Sequence, residues 1–169
     1  MTPALLTRAV CALFLFSAPL AAEGIMVDDA YIRSSTAKST SGAAFMVVMN
    51  HSGADDRLIG AFSDVAEKVE LHSHTSDDNG VMRMGEIEGG VAIAADDMHA
   101  FKRGGDHLMF MGLKGPLEQG AMVPVTLEFE KAGAVEIEVM VDQDRKPNHG
   151  KMKHDHGDMD HTGHEMPKD

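Results

Sequence analysis

Histidines and methionines at alternating spacing carry the chemistry of this chain. In His107-Leu108-Met109-Phe110-Met111 the residue types alternate as a β-strand requires, because successive side chains face opposite ways. Leu108 and Phe110 then face a core, while His107, Met109 and Met111 share the other side. Lys68 to His74 repeats the arrangement, with Val69 and Leu71 pointing one way and Glu70, His72 and His74 the other. Met82 and Met84 fall together on a third segment, opposite Val81, Arg83 and Ile87. Thioethers gain little from water, so outward methionines beside imidazoles are poorly explained by packing. They are what a soft-metal site requires.

Thioether sulfur is neutral and soft and selects Cu(I) over Zn(II), Mg or Ca, whereas imidazole discriminates less. If the three segments meet, two imidazoles and two thioethers form a neutral, roughly tetrahedral donor set. The expected ligands are His72, Met84, His107 and Met109, with His74, Met82 and Met111 as possible substitutes. No thiolate is needed, which suits an oxidising compartment. Nothing in the chain reads as a paired-carboxylate acid/base set, a phosphate loop or an open redox centre. Carriage of metal fits better than catalysis, so the chain is not read as an enzyme.

The C-terminal stretch holds a second constellation: His149, Met152, His154, His156, Met159, His161, His164 and Met166. Residues 144–169 contain no Val, Ile, Leu or Phe. Such a segment cannot bury enough apolar surface to offset chain entropy, and it is expected to be disordered when metal-free. A His/Met tract of this kind is expected to bind metal as an auxiliary site. Its imidazoles would accept Cu(II) and its thioethers Cu(I). Imidazole must be unprotonated to ligate, so tail affinity should fall below pH ~6.

The elements that must position these residues are short strands. Ala43 to Met49 is a near-continuous apolar run that fits a buried strand, and Met46 and Met49 are read as core. Val123, Val125, Leu127 and Phe129 alternate with polar neighbours, as do Val135, Ile137, Val139 and Val141. Lys131-Ala132-Gly133-Ala134 joins these two runs as a hairpin. No stretch shows sustained helical periodicity. The pattern predicts an all-β domain, a sandwich or small barrel of about eight short strands. Phe45, Phe62, Phe101, Phe110 and Phe129 are the expected aromatic core. His51 falls in a turn and is read as solvated; Met98 and His99, beside Asp96 and Asp97, form a weaker ligand group.

Residues 1–22 have the layout of a secretory signal peptide: Arg8, an apolar stretch from Ala9 to Phe16, then Pro19, Leu20, Ala21 and Ala22. The apolar run is shorter than the ~20 residues a spanning helix needs. The expected organisation is a leader over 1–22, a β-domain over 23–143 and the flexible tail over 144–169. The mature protein is expected in the periplasm and not embedded in the membrane. Cys11, the single cysteine, would leave with the leader and is not read as a lipid anchor. Its loss excludes disulfide scaffolds, cysteine nucleophiles and blue-copper electron transfer. Without the leader, the net charge moves from −12 to −13 by loss of Arg8. The tail nearly cancels, six acidic residues against five basic, so the negative charge belongs to the domain. Such a surface repels nucleic acid and anionic lipid.

In its ordered motifs the chain resembles the periplasmic copper chaperones often called PCuAC, which are linked to assembly of cytochrome oxidase copper centres. The family pattern is a His, then a Met, then a His-x-Met. It is matched here by His72 in Val69-Glu-Leu-His72, Met84 in Val81-Met-Arg-Met84, and His107-Leu-Met109. Two flanking stretches also look familial: Asn50-His-Ser-Gly-Ala-Asp-Asp-Arg-Leu58, and Leu113-Lys-Gly-Pro-Leu117 with Gly120. Both loops between ligands are about one residue longer than the usual pattern, which keeps His74 and Met82 open as replacements for His72 and Met84. The resemblance implies a cupredoxin-like fold without a blue-copper centre. It also implies delivery of Cu(I) to a cytochrome oxidase copper subunit or to other copper assembly proteins. A copper-tolerance or sequestration protein is the alternative.

Overall fold

The computed structural model describes residues 24–76 and 80–146. The expected leader and the eight His and Met residues of the tail lie outside the described residues. Ten strands follow in order: β1 (Ile25–Ser34), β2 (Ser41–Asn50), β3 (Asp56–Phe62), β4 (Lys68–Ser76), β5 (Met82–Glu86), β6 (Val91–Ile93), β7 (Met98–Phe101), β8 (His107–Met111), β9 (Met122–Phe129) and β10 (Gly133–Val141). The described residues form an all-β fold, with ten strands among them where the pattern suggested about eight. Among the described residues no helix is long and apolar enough to cross a membrane.

One sheet runs β5-β4-β8-β2-β1-β10-β9-β3-β6, with β7 pairing β2 beyond the end of β8. It closes on a single core in which Ile32, Val48, Leu58, Leu108, Phe110, Leu127 and Val139 are fully buried. Burial of each such side chain contributes about 1.5–3 kcal/mol. Alternation sets which residues go in. On β9, Val123, Val125, Leu127 and Phe129 are buried, and Pro124 and Glu128 are exposed. The β9–β10 hairpin turns at Gly133, whose φ of 76° favours glycine. Asp56 holds this turn: its carboxylate accepts from the N–H groups of Lys131, Ala132 and Arg57. Asn50, fully buried at the end of β2, donates to the carbonyls of Ala54, Ile93 and Ala94 and accepts from Ser52.

Two expectations about the core are corrected. Phe62 is 56% exposed, not buried. A bulge between Leu58 and Gly60 reverses the side-chain parity of β3, so Leu58 pairs with buried Phe129 while Phe62 pairs with Thr126 on the outer face. Met49 is half-buried on the outer face of β2, opposite in sense to Met46, which is in the core. The apolar run on β2 reads as doubly buried because Phe45, although outward, is covered by Tyr31 at a ring separation of 5.1 Å.

Candidate metal centre

Strand pairing brings three distant segments together. β4 pairs β8 antiparallel, with His72 opposite His107 and Glu70 opposite Met109. On its other edge β4 pairs β5, with His74 opposite Met84 and Ser76 opposite Met82. Paired residues share a face, so His72, His74, Met84, His107 and Met109 form one group on the outer side of the sheet. Met111 lies opposite Lys68, two residues beyond Met109, and Met82 lies two residues beyond Met84. His99 and Met98 are adjacent on β7 and so face opposite ways; His99 bonds Asp106 at 2.9 Å.

His107 faces outward yet is only 2% exposed. The rings of Phe45, His72 and His74 cover it at centroid distances of 6.1, 6.0 and 5.0 Å. Its Nδ1 lies 3.0 Å from the Gly105 carbonyl oxygen. That acceptor fixes the proton on Nδ1 and leaves Nε2 with a free lone pair. Burial pushes the His107 pKa down; the Gly105 carbonyl opposes this, and the neighbouring imidazoles of His74 and His72 reinforce it. Burial thus favours the neutral ring, the form in which imidazole ligates.

His72 is prepared in the complementary way. Its Nε2 lies 2.8 Å from the Glu70 carboxylate, and its Nδ1 is buried with no hydrogen-bond partner among the described residues. A carboxylate on one ring nitrogen places the proton there and raises the basicity of the other. Glu70 is itself held by Lys68, and these bonds from Lys68 and then His72 keep its carboxyl below the usual range. A buried, unpartnered nitrogen is costly to leave unsatisfied, and a metal ion would satisfy it. His74 is less constrained, with Nδ1 3.4 Å from the Gly105 carbonyl oxygen.

A cavity of about 320 Å³ opens beside these rings, lined by His74, Met84, His107 and Met109 together with Ala43, Phe45, Arg33 and Arg103. His72, opposite His107 in the β4–β8 pairing, is not part of this lining. Met84 is 47% exposed and Met109 half-buried, so both thioethers can swing to an ion from the open side. Among the described residues, no three His, Cys, Asp or Glu side chains form a metal-holding group by themselves. The thioethers of Met84 and Met109 line the same cavity as His74 and His107, and thioether sulfur favours a soft ion. The sequence placed Glu70 on the ligand face without giving it a role; its position two residues before His72 was the available signal. The Gly105 carbonyl and Arg103 lie in the loop before β8, where no periodicity marks them.

Residues 25–141 match the family described as "Putative lipoprotein LpqE-like". The chain belongs to this family. A further relative of this LpqE-like chain, the "Putative lipoprotein Lxx21020" of Leifsonia xyli subsp. xyli (strain CTCB07), is 35% identical over 120 residues, covering 71% of this chain and 70% of the relative. Solved structures similar to this chain include PCuAC domains, in agreement with the resemblance read from the motifs. The copper-bound PCuAC domain from PmoF2 superposes with a TM-score of 0.59 at 24% identity, over 71% of this chain and 93% of that domain. Apo-DR1885 from Deinococcus radiodurans gives 0.56 at 27% identity, over 85% of this chain and 95% of that one. The CuI-DR1885 solution structure gives the same TM-score and identity over 74% and 84%. The fold of the LpqE-like chain is thus the cupredoxin-like β fold of PCuAC domains.

Proposed function

We propose that this protein is an exported, periplasmic copper chaperone that carries one Cu(I) in its β-domain. The ligands are His72 through Nδ1, His107 through Nε2, and the sulfurs of Met84 and Met109. The observation that carries this reading is the pair of rings 6.0 Å apart, each with one nitrogen tied and the other left free, beside two thioethers. Four neutral donors fill a tetrahedral shell and leave Cu(I) its charge, which suits holding and release rather than turnover. The Cu(I) form of DR1885, 27% identical, supports the choice of ion. His74 stands next in line to replace His72, because it lines the cavity.

The tail supplies auxiliary copper binding, of Cu(II) as well as Cu(I). Its root supports a handover to the domain. The Arg145 carbonyl accepts from Arg103, a residue of the cavity wall, and the chain leaves the described residues just after, at Lys146. The recipient is a cytochrome oxidase copper subunit or one of its assembly proteins. Residues 1–22 are the cleaved leader, 23–143 the copper-binding domain and 144–169 the tail.

X-ray absorption on the Cu(I)-loaded protein cut after Lys146 tests the site. Two nitrogen and two sulfur neighbours are expected, and joint replacement of His107 and Met109 by alanine should abolish retention against a Cu(I) chelator. Unchanged retention ends the assignment. Transfer to an apo-oxidase subunit separates a chaperone from a sequestering protein, which would keep its copper.

A further inference from the structure

Three methionines outside the centre just described stand in one row across three adjacent strands. Met26 on β1 pairs with Met49 on β2, and Met49 pairs with Met98 on β7. Residues in register on neighbouring strands project from the same face, and here that face is the outer one. Met26 is 56% exposed, Met98 is 63% exposed and Met49 is half-buried. Core packing does not account for them, since the inner face of β2 at this level is filled by Val48, fully buried. We infer that Met26, Met49 and Met98 form a second, all-thioether site for a monovalent soft cation of the Cu(I) class.

The geometry allows it. Adjacent strands are ~4.8 Å apart, so the backbones at Met26 and Met98 stand ~10 Å apart with Met49 midway. Methionine is unbranched with three rotatable side-chain bonds. The outer two can lean inward until all three sulfurs meet above Met49. The donor set contains only neutral, soft atoms, which selects Cu(I) and Ag(I) and rejects Zn(II), Mg and Ca. Charge nearby favours a cation. Asp97 directly precedes Met98 and accepts its N–H at 2.8 Å, and exposed Asp28 follows Met26 on the same face of β1. The row is also remote from the first centre. Met109 pairs with Ala43 on β2, and Met49 lies six residues further along the strand, ~20 Å away. The second site therefore does not rest on the reading of the first.

The test uses the full mature chain labelled with ¹³C at the methionine methyls and titrated with Ag(I), a redox-inert probe, then with Cu(I). M26L, M49L and M98L each assign one signal and conserve volume. The three methyl signals are expected to shift together at one equivalence point, to ignore Zn(II), and to respond unchanged in an H107A/M109L background. The triple leucine variant, checked for wild-type melting, should bind one equivalent fewer. The inference is overturned if that variant keeps the wild-type stoichiometry. Three methyls responding at different equivalents, or a response that vanishes with H107A/M109L, would overturn it equally.

Discussion

Removing the carboxylate behind His72 should weaken Cu(I) binding without removing any ligand. Glu70 is 11% exposed at its side chain and holds His72 Nε2 at 2.8 Å. In the E70A variant the ring loses the acceptor that fixes its tautomer, and Nδ1 is free to take the proton. Loss of such a partner behind a metal-bound histidine typically lowers affinity 10–100-fold, which is about 1.4–2.7 kcal/mol. The same range follows from deleting one hydrogen bond to a charged group, about 1.5–3 kcal/mol. E70Q keeps an acceptor oxygen but not the charge, and should fall between, near a tenfold loss. Chelator competition gives the affinity, and the ¹⁵N shifts of the His72 ring give the tautomer. A double-mutant cycle with H72A decides the route. If Glu70 acts through His72, E70A costs little once His72 is gone, and the coupling is comparable to the single-variant loss. Full additivity in that cycle, or wild-type affinity in E70A with the Nε2–H tautomer retained, would refute the argument.

Other residues give predictions about stability. D56A leaves two N–H groups of the β9–β10 turn, those of Lys131 and Ala132, and the N–H of Arg57 on β3 without their acceptor, and should cost about 3 kcal/mol, read by urea unfolding. Burial alone would raise the Asp56 carboxyl, but the N–H groups of Lys131, Arg57 and Ala132 outweigh it and hold it below the ordinary value. Its stabilisation is therefore present in full above the unfolded-state pKa of ~3.9 and is lost as pH falls through the lower folded value. D56N should consequently lose less stability than wild type when acidified below about pH 4; parallel acid limbs would contradict this. F110A, at a fully buried site, should cost about 3–5 kcal/mol, and F62A, at an exposed one, under about 1 kcal/mol in the same assay. G90A should cost about 2 kcal/mol or more, because φ is +78° there and an added Cβ would sit 2.3 Å from the Leu58 carbonyl oxygen.

Which residues share a strand face was legible because the rule is local. Alternation alone put Leu108 and Phe110 inward and His107 and Met109 outward, and the structure has them so. It sorted Val69 and Leu71 from Glu70, His72 and His74 on the same ground. The rule failed where the backbone departs from strict alternation. One extra residue near Ile59 turned Phe62 outward, and a bulge leaves no mark that a period of two can detect. It failed again at Met49, where an apolar run hid the fact that every second member faces out. For the tail, composition remains the whole of the reading.

Convergence was beyond the sequence. That His72 stands opposite His107 depends on β4 and β8 being neighbours, although three strands separate them along the chain. Pairing between distant segments is settled by the closure of one core, not by any short window. The same pairing aligned Met26, Met49 and Met98 across β1, β2 and β7. The sequence by itself determined which donor types each strand presents, since soft neutral groups on one side of a strand are written in residue type and spacing. Tertiary structure alone decided which donors meet, which ring nitrogen is left free and what buries it, because those depend on distances between segments that no local pattern encodes.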